Sequence, residues 1–165
     1  MTSASDKPDL QRIGQNAFME VLSVLLSLPA TVRNSSSQSP LSDAPDQITS
    51  TVVLAGQRLT GSIHVQLPLT FVAHAVHHLT GLDGATEEAS AVLEDTAGEL
   101  TNMVAGRIAA HLAADGYQCV LGTPSVSRGA SLPIEIKSGM DHGRTEMFCD
   151  GHWLSLELEC RYAVP

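Results

Sequence analysis

The stretch Asp95-Thr-Ala-Gly-Glu-Leu-Thr-Asn-Met-Val-Ala-Gly106 lies in the longest helical pattern of this 165-residue chain. The pattern runs from Thr86 to Asp115, and Gly116 follows where helices commonly end in a left-handed residue. Apolar residues recur along it at three- and four-residue steps, within an arc of roughly 120° at about 100° per residue. They are Leu93, Ala97, Leu100, Val104, Ile108 and Leu112. The sequence therefore predicts one long helix with a buried stripe.

The opposite face of this helix is polar. Asp95, Glu99, Asn102 and Gly106 lie about 140–180° from the centre of the apolar stripe. Glu99 and Asn102 are three residues apart, which makes their side chains neighbours on a helix surface. Gly98 and Gly106 each cost up to about 1 kcal/mol relative to alanine, so they indicate close contact with a partner or a neighbouring helix. A surface Glu and Asn at this spacing are common, and the pair alone identifies no function.

Before this helix the chain predicts a helix, a hairpin and a second helix. Residues 10–28 show helical periodicity that ends at Pro29. The period changes to two in residues 49–54 and 59–67, on either side of a short turn, which predicts a β-hairpin. A helix over 69–79 then ends at Thr80-Gly81. Residues 34–46, rich in serine and with two prolines, predict a polar loop.

After the long helix, residues 117–163 predict about four strands, with a last hairpin turning at Asp150-Gly151. Strands grouped apart from helices favour an α+β fold, with two layers and the helices packed on one face of a largely antiparallel sheet. We interpret residues 10–165 as a single domain, and 1–9 as a ragged N-terminus that lacks the pattern of a signal peptide.

Composition excludes several classes of function. Acidic residues outnumber basic ones 18 to 9, and the net charge of −9 argues against nucleic acid or an anionic membrane as a partner. No apolar run reaches the roughly 20 residues that span a bilayer. The three cysteines form no C-x-x-C pair, which argues against a disulfide framework or a cysteine zinc site.

The sequence gives little support for a metal site, a serine hydrolase or a phosphate-binding loop. His74, His77 and His78 have helical spacing, but a metal site needs a further ligand and the neighbouring sequence offers none. We therefore interpret them as half-exposed helix histidines and expect no metal site. The chain has neither the G-x-S-x-G elbow of serine hydrolases nor a glycine-rich phosphate loop after a strand.

The run from Asp95 to Gly106 resembles the signature helix of the CheX/CheC/FliY phosphatases, in which an E-x-x-N pair is the active site. Gly61-Ser-Ile-His-Val-Gln-Leu67 resembles the strand of that family which comes before the helix preceding the signature. Downstream, Ala113-Ala-Asp-Gly-Tyr117 and Gly122-Thr-Pro-Ser-Val-Ser-Arg-Gly129 resemble its loop and its T-P-x-x-x-x-G strand. The similarity covers roughly residues 48–162.

Members with two sites carry a second E-x-x-N pair on another helix. The first helix here offers Glu20-Val-Leu-Ser23 and no asparagine, so the sequence resembles the one-site CheX type. The resemblance implies a cytoplasmic phosphatase that hydrolyses the aspartyl phosphate of a CheY-like receiver domain, in chemotaxis or related two-component signalling. It also implies a homodimer that associates through its sheets.

The resemblance assigns roles to individual residues. Asn102 orients the attacking water and Glu99 pairs with a lysine of the receiver, so both are implied catalytic residues. Asp95, Gly98 and Gly106 are implied to contact the partner, although Asp95 equally fits a role in solubility alone. The chain is expected to hold no cofactor of its own, with Mg²⁺ on the partner receiver. Two alternatives stay open: a CheX-like module that docks on a receiver without hydrolysis, and a purely structural dimerisation domain.

Overall fold

A computed structural model describes residues 7–33, 46–83, 86–130 and 134–163. Within these ranges the chain forms three helices, α1 (Leu10–Leu26), α2 (Leu69–Thr80) and α3 (Glu87–Ala114). The strands there are β1 (Ala30–Arg33), β2 (Gln47–Ala55), β3 (Leu59–Pro68), β4 (Val120–Leu121), β5 (Ser125–Gly129), β6 (Asp141–Cys149) and β7 (His152–Tyr162).

The seven strands form one antiparallel sheet. Its spatial order is β1-β6-β7-β3-β2, and the short strands β4 and β5 both pair with the free side of β2. At the centre, Ile63 of β3 lies opposite Val52 of β2 and Leu158 of β7. The helices pack on one face of this sheet, so the predicted α+β two-layer architecture is confirmed. None of the helices in the described ranges combines the length and apolar content that crossing a membrane requires.

The two hairpins form where the sequence predicts them. β2 and β3 pair through residues 47–55 and 60–68. β6 and β7 are joined by a two-residue turn in which Asp150 and Gly151 have φ values of 48° and 76°. Positive φ at both positions is the requirement of a type I′ turn, which is why Asp-Gly is a strong hairpin signal.

The end of α3 is also as predicted. Gly116 has a φ of 87°, and its N–H donates to the carbonyl of Ala113. The N–H of Tyr117 donates to the carbonyl of Leu112. These two bonds are the pair that defines a Schellman motif, which satisfies carbonyls left open at the end of the helix.

The hydrophobic core fills the space between the helices and the sheet. Every residue of the predicted α3 stripe is at most 5% exposed. From the sheet, alternate residues of β3 and β7 point into the same core, including Ile63, Val65, Leu156 and Leu158. The apolar residues that recur every 3.6 positions in α3 therefore pack against those that recur at every second position in the strands, and together they form one apolar layer.

Strand β1 is the element that the sequence did not predict. Its four residues pair with β6, with Thr31 opposite Phe148. A strand this short carries too little alternation to stand out beside Pro29 and the polar residues after it. The predicted loop at 34–46 lies outside the described residues except for Asp46. Of the predicted N-terminus at 1–9, residues 7–9 are described, and Asp9 caps α1 by accepting a hydrogen bond from the N–H of Arg12.

The three cysteines are free thiols. Cys149 and Cys160 are buried in the core. Burial raises the pKa of the Cys160 thiol to about 12, with smaller contributions from Cys119, Asp141 and Glu159. This thiol is therefore protonated near neutral pH and a poor nucleophile.

The sheet face away from the helices carries a buried acid. Glu159 is 5% exposed and accepts a hydrogen bond of 2.8 Å from the Ser62 hydroxyl. His64 Nε2 lies 3.7 Å from the same carboxylate. Burial alone raises the pKa of Glu159, but hydrogen bonds from Ser62 and the backbone N–H of Lys137, together with the charge of His64, leave it below its usual value. The native state therefore favours the ionised carboxylate.

This lowered pKa predicts a pH-dependent contribution to stability. The contribution is fully present above the unfolded-state pKa of about 4.5 and is lost as the pH falls through the lower folded-state value. We expect Glu159→Gln to lower the urea midpoint at pH 7, and the gap between the two proteins to close as the pH falls below about 4.5 and through the lower folded-state pKa. Urea unfolding at several pH values measures the gap, and a gap that is constant with pH would contradict this role for Glu159.

Candidate functional site

Helix α3 is held between the other two helices and the sheet. Leu100 and Val104 line a small internal void together with side chains from α1, α2 and β3. The buried Thr101 hydroxyl donates a 2.8 Å hydrogen bond to the carbonyl of Ala97, one turn earlier. These contacts fix which side of α3 faces the core, and so which side faces outward.

The outward side carries the predicted site. Asp95, Glu99 and Asn102 are all exposed, as is Gly106 one turn beyond Asn102. The side chains of Glu99 and Asn102 make no hydrogen bond or ion pair with the part of the chain that the structure describes. A carboxylate and a carboxamide therefore stand side by side with their bonding capacity available to a partner. Their predicted roles in catalysis stay predictions.

An ion pair ties the far end of this surface to α1. Arg107 Nη1 lies 3.3 Å from Glu20 Oε1, and both side chains are about half exposed. Exposed pairs of this kind contribute little stability, of the order of 0–1 kcal/mol. The guanidinium of Arg107, the basic group that follows Asn102 on α3, is therefore already paired. The unpaired charges beside Asn102 are acidic.

The two glycines of α3 occupy different surroundings. A Cβ at Gly98, which is buried, would lie 3.4 Å from Val126 Cγ2 and 3.9 Å from Pro124 Cβ of the same chain. A Cβ at Gly106 would meet nothing within 4 Å. Gly98 therefore allows β5 and the Thr123-Pro124 segment to approach α3, whereas Gly106 leaves open surface next to Asn102. Whether either glycine contacts a partner stays a prediction.

The exposed charges of α3 are arranged by sign. Its N-terminal half carries only acids, Glu87, Glu88, Glu94, Asp95 and Glu99, and its later half carries Arg107 and His111. Acids near a helix N-terminus are stabilised by the helix dipole. Asp95 and Glu99 are four residues apart, so they repel one another. A cationic group from a partner would be attracted by both carboxylates.

The shape of this surface bears on the kind of substrate that it suits. Small molecules bind in concave sites that cover most of the ligand. Glu99 and Asn102 instead stand on the exposed side of a helix. A pair in this position suits insertion into a cavity that the partner supplies.

A second group of polar residues lies apart from this surface. His74, His77 and His78 are exposed on α2, as their spacing predicts. The structure also brings Asp150 and His152, from the β6–β7 hairpin, next to His74. The sequence shows the hairpin but not which helix lies over its turn, so this group was missed.

A family profile described as "Chemotaxis phosphatase CheX" matches residues 48–146, which is more than half of the chain and includes Glu99 and Asn102. The chain belongs to the CheX family. No curated protein sequence matches it significantly.

Solved structures of the family share its fold. CheX from Vibrio vulnificus is 20% identical, with a TM-score of 0.77 over 93% of this chain and 97% of the other. A CheC-like protein from Shewanella oneidensis is 21% identical, with a TM-score of 0.74 over 91% and 96%. The CheX–CheY–BeF3–Mg²⁺ complex from Borrelia burgdorferi is 19% identical, with a TM-score of 0.70 over 94% and 99%. At these identities the likeness establishes the fold.

Proposed function

We propose that the chain is a phosphatase that hydrolyses the aspartyl phosphate of a CheY-like receiver domain. The observation that carries the proposal is the exposed pair of Glu99 and Asn102, side by side on α3 of a CheX-family chain. The Borrelia relative, which is described as a complex of CheX with CheY, supports a receiver as the partner. We place this reaction in the cytoplasm, as part of chemotaxis or a related two-component pathway.

The reaction replaces one bond to phosphorus by another. A water oxygen attacks the phosphorus while the bond to the aspartate oxygen breaks, which yields inorganic phosphate and a free carboxylate. Phosphoryl transfer of this kind requires mainly positioning and the stabilisation of charge. A receiver that holds Mg²⁺ supplies the charge stabilisation, so this chain needs only to position water and to dock.

Asn102 suits the positioning of water. Its amide oxygen accepts a hydrogen bond from the attacking water, and its N–H group is left to donate to a phosphoryl oxygen. A carboxylate at this position would repel the phosphoryl group, whereas the neutral carboxamide does not. Because Thr101 and Leu100 are buried on the other side of α3, Asn102 projects away from the body of the protein.

Glu99 suits docking. It lies one helical turn from Asn102 and next to the second acid of this surface, Asp95. A lysine of the receiver that approaches Glu99 would also be attracted by Asp95, and the pairing would fix the register in which Asn102 enters the receiver. Asp95 then extends the docking surface without touching the reacting atoms.

We also propose that two copies associate through the sheet, as the resemblance implies. The face away from the helices exposes Phe148, which is 39% exposed and packs against Trp153 with the two rings tilted by 53° and their centroids 5.1 Å apart. Val53 on the same face is 56% exposed. Neither side chain belongs to the surface formed by Asp95, Glu99 and Asn102, so dimerisation would leave that surface free.

The test of the proposed function is the decay of phosphorylated receivers. Receivers labelled with radioactive phosphate are freed of the phosphodonor and mixed with catalytic amounts of this protein. Multiple turnovers, seen as loss of label faster than the intrinsic rate, support a phosphatase. If receivers that bind the protein decay at their intrinsic rate, the chain is a docking module and the proposal fails.

The two glycines of α3 provide a separate prediction about docking. Gly98→Ala and Gly106→Ala should each raise the free energy of unfolding by about 0.5–1 kcal/mol, because alanine favours the helix and neither Cβ meets an obstacle. Only Gly106→Ala should also weaken receiver binding, since only its new methyl group stands on the surface beside Asn102. Calorimetric titration of the receiver measures this, and equal binding by both variants would remove Gly106 from the docking surface.

A further inference from the structure

The β6–β7 turn and helix α2 bring two histidines and a carboxylate together, away from the Glu99 surface. His74 Nδ1 lies 3.1 Å from Asp150 Oδ2. The rings of His74 and His152 meet edge to face, with centroids 5.2 Å apart. One ligand atom from each of His74, Asp150 and His152 lies within 4.8 Å of the others. We propose that these three side chains bind a divalent transition metal of the zinc class.

The donor set selects this class of metal. Imidazole nitrogens suit Zn²⁺, Co²⁺ and Ni²⁺, whereas Mg²⁺ and Ca²⁺ prefer an all-oxygen environment. Ligands of a tetrahedral zinc ion, at about 2.0–2.1 Å from the metal, are roughly 3.3 Å apart. The 3.1 Å between His74 Nδ1 and Asp150 Oδ2 is close to that spacing. Water completes the coordination, as expected of an open site with three protein ligands.

His152 is held in the tautomer that a metal needs. Its Nδ1 lies 2.6 Å from the backbone carbonyl of Asp150. A carbonyl oxygen only accepts hydrogen bonds, so the proton of the neutral ring is on Nδ1 and the free lone pair is on Nε2. Bonding of this kind between the second ring nitrogen and a carbonyl is the usual support of histidine ligands.

The supporting elements hold the ligands in place. Asp150 sits in the tight I′ turn, and His152 begins β7 directly after it. The His152 ring also packs edge to face against the buried Phe71 of α2, with centroids 5.8 Å apart. The remaining ligand, His74, is 61% exposed at its side chain and has room to rotate towards the metal. A bound metal would therefore join α2 to the β6–β7 turn.

Nearby groups favour capture of a cation. His74 and Asp150 lie at an open depression that is also lined by His77, His78 and Asp83. His77 Nδ1 lies 2.9 Å from the carbonyl of Leu82, which places its free lone pair on Nε2 for the same reason as in His152. The protein's net charge of −9 adds a long-range attraction for divalent cations.

Metal binding is tested with untagged protein freed of metal by chelation. Titration with Zn²⁺ in a calorimeter is expected to give one site per chain. A roughly 100-fold excess over the dissociation constant should raise the Tm by roughly 5–10 °C, reversibly on addition of EDTA. Co²⁺ as a second probe should give the visible absorption of nitrogen and oxygen ligands without the strong thiolate band. A thiolate band would assign the metal to a cysteine and overturn the proposal.

Three substitutions remove one ligand each while preserving the fold. They are His74→Gln, Asp150→Asn, in which asparagine tolerates the positive φ, and His152→Phe, which keeps the ring against Phe71. Each should weaken Zn²⁺ binding by at least about tenfold. His111→Gln replaces an exposed histidine of α3 that does not line the depression, so it is the control and should bind as wild type does. Equal loss in His111→Gln, or no loss in the three variants, overturns the assignment. These measurements of metal binding do not involve receiver dephosphorylation, so they test the metal site independently of the proposed function.

Discussion

Asn102→Ala is expected to reduce the stimulated rate of receiver dephosphorylation by at least about 100-fold, which is the loss seen when a single preorganised polar group is removed from a reacting centre. Binding of the receiver should change little, because the truncated side chain orients water and does not pair with a charge. Glu99→Gln, in contrast, is expected to weaken binding of the receiver, because the attraction for a cationic group of the receiver is lost. Glu99 and Asn102 are both exposed, so neither substitution should lower the Tm.

The measurement separates turnover from affinity. Rates of label loss are followed over a range of receiver concentrations, which gives kcat and KM for wild type, Asn102→Ala and Glu99→Gln. Glu94→Gln is the matched control, since it removes an exposed acid from the same helix outside the pair. If Asn102→Ala keeps the wild-type kcat, Asn102 does not orient the water. If Asn102→Ala, Glu99→Gln and Glu94→Gln all lose the same activity, the polar surface of α3 acts as a whole and the pair of Glu99 and Asn102 has no special role.

Much about α3 could be predicted because the apolar pattern and the candidate site residues lie in the same helix. Six apolar residues at helical steps determine which side is buried, and that side determines where Glu99 and Asn102 point. All six are at most 5% exposed, and both site residues are exposed. The glycine that ends α3 and the Asp-Gly turn of the last hairpin are equally local signals, since each depends on a positive φ at a named residue.

What could not be predicted depends on contacts between elements distant in sequence. Strand β1 has four residues and exists because β6, more than 100 residues later, pairs with it. The contact of His74 with Asp150 spans 76 residues and depends on α2 lying over the β6–β7 turn. Likewise, Glu159 alternates with core residues along β7, but the hydrogen bonds that stabilise its carboxylate come from Ser62 and the backbone of Lys137. No periodicity within a single element contains this information.

The difference between the two glycines of α3 shows the same limit. The sequence shows that Gly98 and Gly106 each weaken the helix, and it predicts close contact at both positions. The structure separates them, because Gly98 faces Val126 of the same chain and Gly106 faces open surface. Such a separation requires knowing that β5 passes beside α3, which is a property of the sheet order.

Gly143→Ala is expected to destabilise the fold strongly. Gly143 is buried in β6, where the first turn of α1 crosses the sheet. A Cβ at this position would lie 2.5 Å from the backbone nitrogen of Gln11 and 2.6 Å from the carbonyl carbon of Leu10. These are backbone atoms, so they are unable to move aside by a change of rotamer, and the whole start of α1 has to shift.

That shift would disturb several contacts at once. Asp9, which caps α1, and Leu10, which is 5% exposed, would both be displaced from the sheet. Overpacking of a core usually costs about 1–3 kcal/mol, and we expect the upper part of this range because backbone is displaced. For a protein of this size the loss corresponds to a fall in Tm of roughly 5–10 °C.

Gly129→Ala is the matched control for this prediction. It also places a methyl group on a strand of the same sheet, but nothing lies within 4 Å of the new Cβ. Because the backbone there does not need a positive φ, the alanine should be neutral or slightly stabilising. Calorimetric melting of both variants beside wild type measures the difference. Equal Tm values for Gly143→Ala and Gly129→Ala would mean that α1 has room to retreat from β6, and that the close approach at Gly143 is not required for the stability of the fold.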